Sequence, residues 1–145
     1  MRVLHIDEQR GWRGGEQQAS WLLQGLAAKG HEVYIAARPG SAFLEDEHGG
    51  CPVRRFPIAM RGEWDLSSVG SLANIVREEE IDILHAHTSH AHTFACLARK
   101  WAGRSKVVVS RRVGFPPKGN LFNRWKYRMP DKIVCVSEMV GRVMR

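Results

Sequence analysis

The 145 residues of this chain, 43% apolar and 26% charged, fit one ordinary globular domain with a buried core. No apolar run is long enough to cross a bilayer, and the opening "MRVLHI" is too short, and too soon followed by acids, to be a secretory signal peptide. The formal net charge of +7 favours a polyanionic partner (nucleic acid, anionic lipid or a phosphorylated substrate), although a plain basic surface would give the same charge.

Short apolar runs alternate with helical patterns along the chain. We predict strands at "RVLHI", "EVYIAA", "PVRRFPI", "IDILHAH", "KVVVS" and "KIVCVS", the third of them at a sheet edge because it holds two prolines. Helices are predicted over 15–29, 65–79, 90–101 and 121–129, with one short turn in "FLEDEHGG" and a last helix after Ser137. This alternation is typical of βαβ units. We therefore predict the α/β class, a Rossmann-like parallel sheet with helices on both faces and ligands beyond the carboxyl ends of its strands.

Two adjacent glycines, Gly14 and Gly15, follow the first predicted strand and lead into a helix. Glycine permits a positive φ and a close approach to the backbone, and a helix N-terminus offers unpaired N–H groups, so together they suit a phosphate. The spacing is neither G-x-G-x-x-G nor a P-loop, and a plain tight turn explains the pair as well. Glu16, in the first helical turn, either stabilises the helix or accepts a hydrogen bond from a hydroxylated ligand.

Three segments carry a resemblance to a known family. The opening "MRVLHIDEQRGWRGGEQQASWLLQGLAAKGHEVYIAARPGS", the segment "EEEIDILHAHTSHAH" and the closing "DKIVCVSEMVGRVMR" resemble the GT-B glycosyltransferases of family 4, also called group 1. The resemblance covers essentially the whole chain, and the order and spacing of the segments are more specific than any one of them. It implies an enzyme of two Rossmann-like domains around a cleft, which transfers a sugar from a nucleotide sugar with retention and generally without a metal.

The same resemblance sets expectations for this chain. Residues 1–145 would be a single Rossmann-like N-terminal, acceptor-side domain, with the C-terminal donor domain absent from the chain and no activity expected in isolation. The intact enzyme would be a hexosyltransferase-like protein that needs no cofactor beyond its nucleotide-sugar co-substrate. Its acceptor would be a sugar, lipid or glycoconjugate, in cell-envelope polysaccharide or lipopolysaccharide synthesis. The loop at Gly14 and Gly15 would face the donor diphosphate or a phosphate on the acceptor.

One departure from the family concerns the residues after the fifth strand. Many members carry a histidine there, near the reacting sugar, whereas this chain reads "SRRVGFPP". Arg111 and Arg112 stand in its place, and arginine binds phosphate or carboxylate in a bidentate manner but does not act as a base. We therefore assign anion binding to the two arginines and no residue to catalysis.

The segment "HAHTSHAH" holds four histidines, at positions 85, 87, 90 and 92. It approaches the zinc-hydrolase pattern H-x-H-x-D-H, but Ser89 replaces the aspartate and the chain offers no obvious later ligands, so we predict no metal site. His87, nearest the carboxyl end of its strand, is predicted to contact the ligand. The alternative is that these histidines only cap the strand and the helix.

A basic and aromatic segment runs from Arg111 to Arg128. It holds six cations and no acid, with four aromatic residues between them. It could bind an anionic membrane or an anionic acceptor, form a solvated basic face over core aromatics, or bind nucleic acid, which is the least favoured partner. Further on, Ser137 and Glu138 either cap the last predicted helix or line the cleft with a hydroxyl and a carboxylate.

Three rival functions remain open. A nucleotide-binding oxidoreductase or epimerase would need G-x-G-x-x-G after the first strand, and the chain has none there. A non-catalytic module for anionic membrane or nucleic acid would fit the charge, and a zinc hydrolase would fit part of the histidine pattern. Cys51, Cys96 and Cys135 are distant from one another and predict reduced thiols in a cytoplasmic protein, with peripheral contact to the inner face of the membrane as an option.

Overall fold

The structure is a computed structural model and describes residues 1–111 and 121–135. The strands are β1 (Arg2–Asp7), β2 (Glu32–Ala37), β3 (Val53–Pro57), β4 (Ile83–Ala86), β5 (Lys106–Arg111) and β6 (Lys132–Cys135). The helices are α1 (Gly14–Ala28), α2 (Ala42–Glu45), α3 (Leu66–Glu78), α4 (Ser89–Ala102) and α5 (Leu121–Arg128), with a 3₁₀ turn at His48–Gly50.

The six strands form one parallel sheet in the order β3-β2-β1-β4-β5-β6. The chain builds outward from β1 to β3 and then crosses over to β4, so the strand order reverses between β1 and β4. In open α/β sheets, ligands bind beyond the carboxyl ends of the strands at such a reversal. The predicted α/β, Rossmann-like sheet is confirmed, with the proline-bearing third strand at its edge.

Each face of the sheet has its own apolar core. On one face, alternate residues such as Leu4 and Ile6 of β1 pack against buried residues of α3 and α4. On the other face, Val33 and Ile35 of β2 pack against Ala19 and Leu23 of α1 and against residues of α2. Because side chains alternate along a strand, a continuous apolar strand can serve both cores. The prediction of helices on both faces is confirmed.

Side chains at the helix starts explain several boundaries. Asp65 caps α3 by accepting from the backbone N–H of Ser68 at 3.2 Å, and Thr88 caps α4 by accepting from that of Ala91 at 3.1 Å. The strand predicted as "IDILHAH" ends at Ala86, so His87 lies in the turn between β4 and α4 rather than within the strand. Ser137 and the helix predicted after it lie outside the described residues.

Two further observations bear on the predictions. Cys51, Cys96 and Cys135 are free thiols, and burial raises the pKa of Cys96 to about 11. Within residues 1–111 and 121–135, none of the helices combines the length and the apolar character that a bilayer-spanning segment needs.

Candidate functional site

A cavity of about 380 Å³ opens at the carboxyl edge of the sheet, beside the reversal between β1 and β4. It is bounded by the β1–α1 loop, the start of α1, the β4–α4 turn, the end of β5 and one turn of α5. Its lining residues are Gln9, Arg13, Gly15, Glu16, His87, Thr88, Ser89, His92, Val109, Ser110, Arg111 and Tyr127. Four residues predicted to bind the substrate therefore meet in one cavity: Gly15, Glu16, His87 and Arg111.

The two glycines at the start of α1 differ from the prediction in their backbone. Both belong to the helix itself, and neither has a positive φ, so no strained turn requires glycine here. A Cβ added to Gly14 would meet nothing within 4 Å. Among the described residues, no acceptor bonds the N–H groups of Gly14 or Gly15. Gly14 is exposed and Gly15 half-buried, so within the described part of the chain this helix start suits a ligand that approaches the backbone. Gly15 lines the cavity, and Gly14 is not among its lining residues.

Glu16 and Asp7 form a buried acidic pair beneath the helix start. One carboxylate oxygen of Glu16 accepts from the backbone N–H of Arg13 at 2.9 Å, which closes the first turn of α1. Asp7, the last residue of β1, accepts from the backbone N–H of Gln9 at 2.8 Å. Burial, reinforced by the nearby Glu16, raises the pKa of Asp7 to about 8. Asp7 is therefore largely protonated at neutral pH.

Three buried histidines stand side by side at the reversal. His5 on β1 is paired in register with His85 on β4, and His87 follows just beyond β4. The Nδ1 atom of His5 lies 2.9 Å from Nε2 of His87, and Nε2 of His85 lies 2.7 Å from the hydroxyl of Ser110. The rings of His85 and His87 are stacked, with centroids 4.2 Å apart and planes at 21°. His5 was not predicted as a site residue, because only the register of β1 with β4 brings it beside His85 and His87.

These histidines are also the group, within the described part of the chain, that could offer three ligands to a metal ion. One nitrogen of each lies within 4.8 Å of the others. A histidine binds a metal along the lone pair, in the plane of its ring, at about 2.0–2.1 Å. Two nearly parallel stacked rings direct their lone pairs side by side, so His85 and His87 would have to rotate before both could bind one ion.

Arg111, the last residue of β5, is buried to 7% exposure at the cavity wall. Its guanidinium donates a hydrogen bond to the hydroxyl of Tyr127 and lies 5.3 Å from the centre of the Tyr127 ring. Burial raises the pKa of Tyr127, while the cation of Arg111 opposes that rise. Tyr127 thus holds a guanidinium, which is always charged, at the edge of the cavity. Arg112, the second predicted arginine, lies outside the described residues, as do Ser137 and Glu138.

Helix α5 is fastened to the domain by a buried cation. Lys126 is 3% exposed, and its ammonium lies 3.0 Å from both a carboxylate oxygen of Glu63 and the hydroxyl of Ser89. Burial raises the pKa of Glu63, but hydrogen bonds from Thr93 and Lys126 outweigh it and hold that pKa below the usual value. Two of the six cations of the basic segment, Arg111 and Lys126, are therefore part of the fold and do not face a membrane.

His92, on α4, completes this wall. Its Nε2 lies 2.6 Å from the backbone carbonyl of Lys126, so the ring donates there. Burial, with the nearby Lys126 ammonium, lowers the pKa of His92 to about 4 and keeps it neutral. A role for Tyr127 and Lys126 in this wall was not visible in the sequence, although aromatic and cationic residues recurring in 121–128 were the available signal.

The outer side of α5 exposes apolar and basic groups together. Trp64 is 63% exposed and Leu121 80% exposed, and the Trp64 ring lies 4.9 Å from that of Phe122. Arg124 and Arg128 on the same helix are exposed. We call Trp64, Leu121, Phe122 and Arg124 the α5 surface.

The sequence profile of Glycosyltransferase Family 4 matches residues 12–145. The chain belongs to glycosyltransferase family 4. No curated protein sequence matches it significantly. This glycosyltransferase domain has the GT-B type of fold seen in solved structures, as the resemblance implied.

Three solved structures illustrate the fold. A glycosyltransferase from Rickettsia africae has a TM-score of 0.79 at 17% identity, over 97% of this chain and 38% of that one. Anabaena Alr3699/HepE, in complex with UDP and glucose, has a TM-score of 0.73 at 17% identity, over 99% and 40%. Acinetobacter baumannii MurG has a TM-score of 0.71 at 14% identity, over 92% and 40%. The family 4 chain thus spans about two fifths of the length of these structures.

Proposed function

We propose that this chain is the N-terminal, acceptor-side domain of a retaining glycosyltransferase that uses a nucleotide-sugar donor. The observation that carries the proposal is the cavity at the β1/β4 reversal, where the start of α1 and the guanidinium of Arg111 face one volume. Membership of family 4 and the UDP and glucose bound by HepE support the donor class. A second, donor-binding domain would complete the cleft over this cavity.

In that reaction the protein has to stabilise charge on the departing diphosphate. As the bond between the anomeric carbon of the sugar and the diphosphate oxygen breaks, negative charge grows on that oxygen. The N–H group of Gly15 and the guanidinium of Arg111, both at the cavity, would stabilise this charge, and the N–H group of Gly14 at the same helix start would add to them. Glu16 and His87 would bind hydroxyl oxygens of the sugar or the acceptor. The anomeric carbon bonds to the acceptor hydroxyl oxygen, and the proton of that hydroxyl passes to the released diphosphate, so the proposed step needs no residue of this chain as a base. Arg112, Ser137 and Glu138 keep their predicted binding roles.

The direct test is transfer by the full-length protein. Radiolabelled nucleotide sugars are supplied with a lipid extract and with free oligosaccharides, and both the released nucleoside diphosphate and the labelled product are measured. We expect release of nucleoside diphosphate together with a product of the same anomeric configuration as the donor. A product of opposite configuration would overturn retention, and absence of binding to every nucleotide sugar would overturn the function.

The α5 surface supports a membrane partner for the same enzyme. Exposed aromatic and apolar side chains beside cations fit the interface of an anionic bilayer, where a lipid or glycolipid acceptor would be reached. We expect the full-length protein to sediment with vesicles containing phosphatidylglycerol, less so at high salt, and not with pure phosphatidylcholine.

A pair of variants tests that surface. Trp64→Ser with Leu121→Ser should reduce vesicle binding, whereas Trp101→Ser, which alters an exposed tryptophan on α4, should not. Equal binding by all variants, or binding that does not depend on anionic lipid, would contradict the membrane proposal.

A further inference from the structure

His5 does not line the cavity, yet it contacts a residue that does. It is fully buried on β1, and its Nδ1 lies 2.9 Å from Nε2 of His87, which lines the cavity. The pairing of β1 with β4 sets this contact, since Ile6 is opposite Ala86 and His87 is the next residue. At this distance one proton lies between the two nitrogens, so one ring donates and the other accepts.

The other nitrogen of His5 decides which ring donates. Nε2 of His5 is buried and has no hydrogen-bond partner within residues 1–111 and 121–135. A buried N–H without a partner is rarer and more costly than an unpaired acceptor. Burial, reinforced by His85 and His48, also holds the pKa of His5 well below its usual value, so the ring carries a single proton. That proton belongs on Nδ1, where His87 accepts it.

We propose that His5 is a positioning residue that fixes the tautomer of His87. With its Nε2 accepting from His5, a His87 ring that holds one proton carries it on Nδ1, so this cavity-lining residue contributes an N–H donor and not a basic nitrogen. The ligand group at this point is then an oxygen acceptor, either a phosphate oxygen or a sugar hydroxyl oxygen. This inference rests on the proposed function for the identity of the ligand, while the tautomer itself does not.

His85 restricts the rotation of the His87 ring by stacking on it. Its ring covers one face of His87 at 4.2 Å between centroids, and its own Nε2 is tied to the Ser110 hydroxyl at 2.7 Å. Two of the contacts of the His87 ring are therefore the hydrogen bond at Nε2 and the stacking of His85 on one face. Stacking in this orientation also favours the hydrogen-bonded arrangement over a shared metal ion, for which the lone pairs would have to converge.

The test is spectroscopic and compares two substitutions of one residue. Nitrogen-15 spectra of the imidazoles in the full-length protein, assigned through His87→Gln, should show His87 protonated on Nδ1. In His5→Asn the amide nitrogen occupies the position of Nδ1 and can still donate, so the pattern should persist. In His5→Leu the donor is lost, and His87 should shift to a mixture of tautomers. His31→Asn, at the opposite end of the sheet, is the matched control.

Affinity for UDP, used as the probe, gives the second readout. We expect His5→Leu to bind UDP about tenfold more weakly and His5→Asn to stay within about twofold of the wild type. An Nε2-protonated His87 in the wild type, or identical His87 spectra in His5→Leu and the wild type, would overturn the inference. So would tight zinc binding that is abolished by substitution of any of the three histidines. Wild-type protein that shows the expected tautomer but binds neither UDP nor any other nucleoside diphosphate would instead overturn the proposed donor class and leave the role of His5 standing.

Discussion

The two walls of the cavity use different means to face the same ligand. The wall formed by β1, α1 and β4 offers a backbone N–H group and His87, and the largely protonated Asp7 is buried outside the cavity lining. The wall formed by β5 and α5 offers the cation of Arg111 and is held by a second cation, Lys126. The first wall is set by strand register and the second by side-chain pairs between elements far apart in sequence. We expect substitutions in the second wall to change stability and ligand binding together. Substitutions in the first wall should change one of the two without the other.

The largest expected effect is on the anchor of α5. Lys126→Ala leaves Glu63 without its ion-pair partner, in a site where Lys126 is 3% exposed, and should lower the free energy of unfolding by about 3 kcal/mol. Urea unfolding of the wild type and Lys126→Ala measures this difference in free energy. The double variant Lys126→Met with Glu63→Gln removes both charges and should recover most of the loss. A loss below about 0.5 kcal/mol in the single variant would show that the pair contributes no more than an exposed one.

The next largest expected effect is a pH-dependent change in stability caused by Asp7, at the end of β1. Because the pKa of Asp7 is raised to about 8 in the folded state, the folded protein holds a proton that the unfolded chain has released, so stability falls as pH rises from about 4 to about 8. Asp7→Asn removes this dependence and should stabilise the protein by about 3 kcal/mol more at pH 8 than at pH 5.

Unfolding of wild type and Asp7→Asn at the two pH values checks the sign. Asp46→Asn, which alters an exposed carboxylate, is the control and should show little pH-dependent difference. A variant that is destabilised more at pH 8 than at pH 5 would mean that Asp7 is ionised in the fold.

Removal of the guanidinium should affect binding. Arg111→Met should weaken UDP binding by about tenfold or more, because a charged hydrogen bond contributes about 1.5–3 kcal/mol. Titration calorimetry on the full-length protein measures it, and Arg128→Met, at an exposed position of α5, should leave the affinity unchanged. Equal losses in the two variants would point to general charge rather than to the cavity.

The smallest expected effects are those of Gly14→Ala, at the start of α1. A methyl group on Gly14 meets no atom of the protein within 4 Å, so Gly14→Ala should change the free energy of unfolding by less than about 0.5 kcal/mol. It should nevertheless weaken UDP binding about threefold if the phosphates pass over this residue. Unchanged binding in a fully folded Gly14→Ala would place the ligand nearer Gly15.

The sequence by itself determined the order of elements and the class of the fold. Apolar runs separated by helical patterns show in any window of the chain, and turn residues such as Thr88 act on their immediate neighbours, so strands, helices and the proline-bearing edge strand could be predicted. The motifs also placed Gly15, Glu16, His87 and Arg111 near the carboxyl ends of parallel strands, which share one edge, and in the structure all four line one cavity.

Only the tertiary structure decided which side chains touch across that edge. The contact of His5 with His87 joins residues 82 apart, and that of Lys126 with Glu63 joins residues 63 apart. Sequence patterns give the face of a strand on which a side chain lies, but not the register of its neighbour or the depth at which a helix docks. Register and docking are set by the packing of both cores at once, and they determine which histidine donates and which lysine is buried.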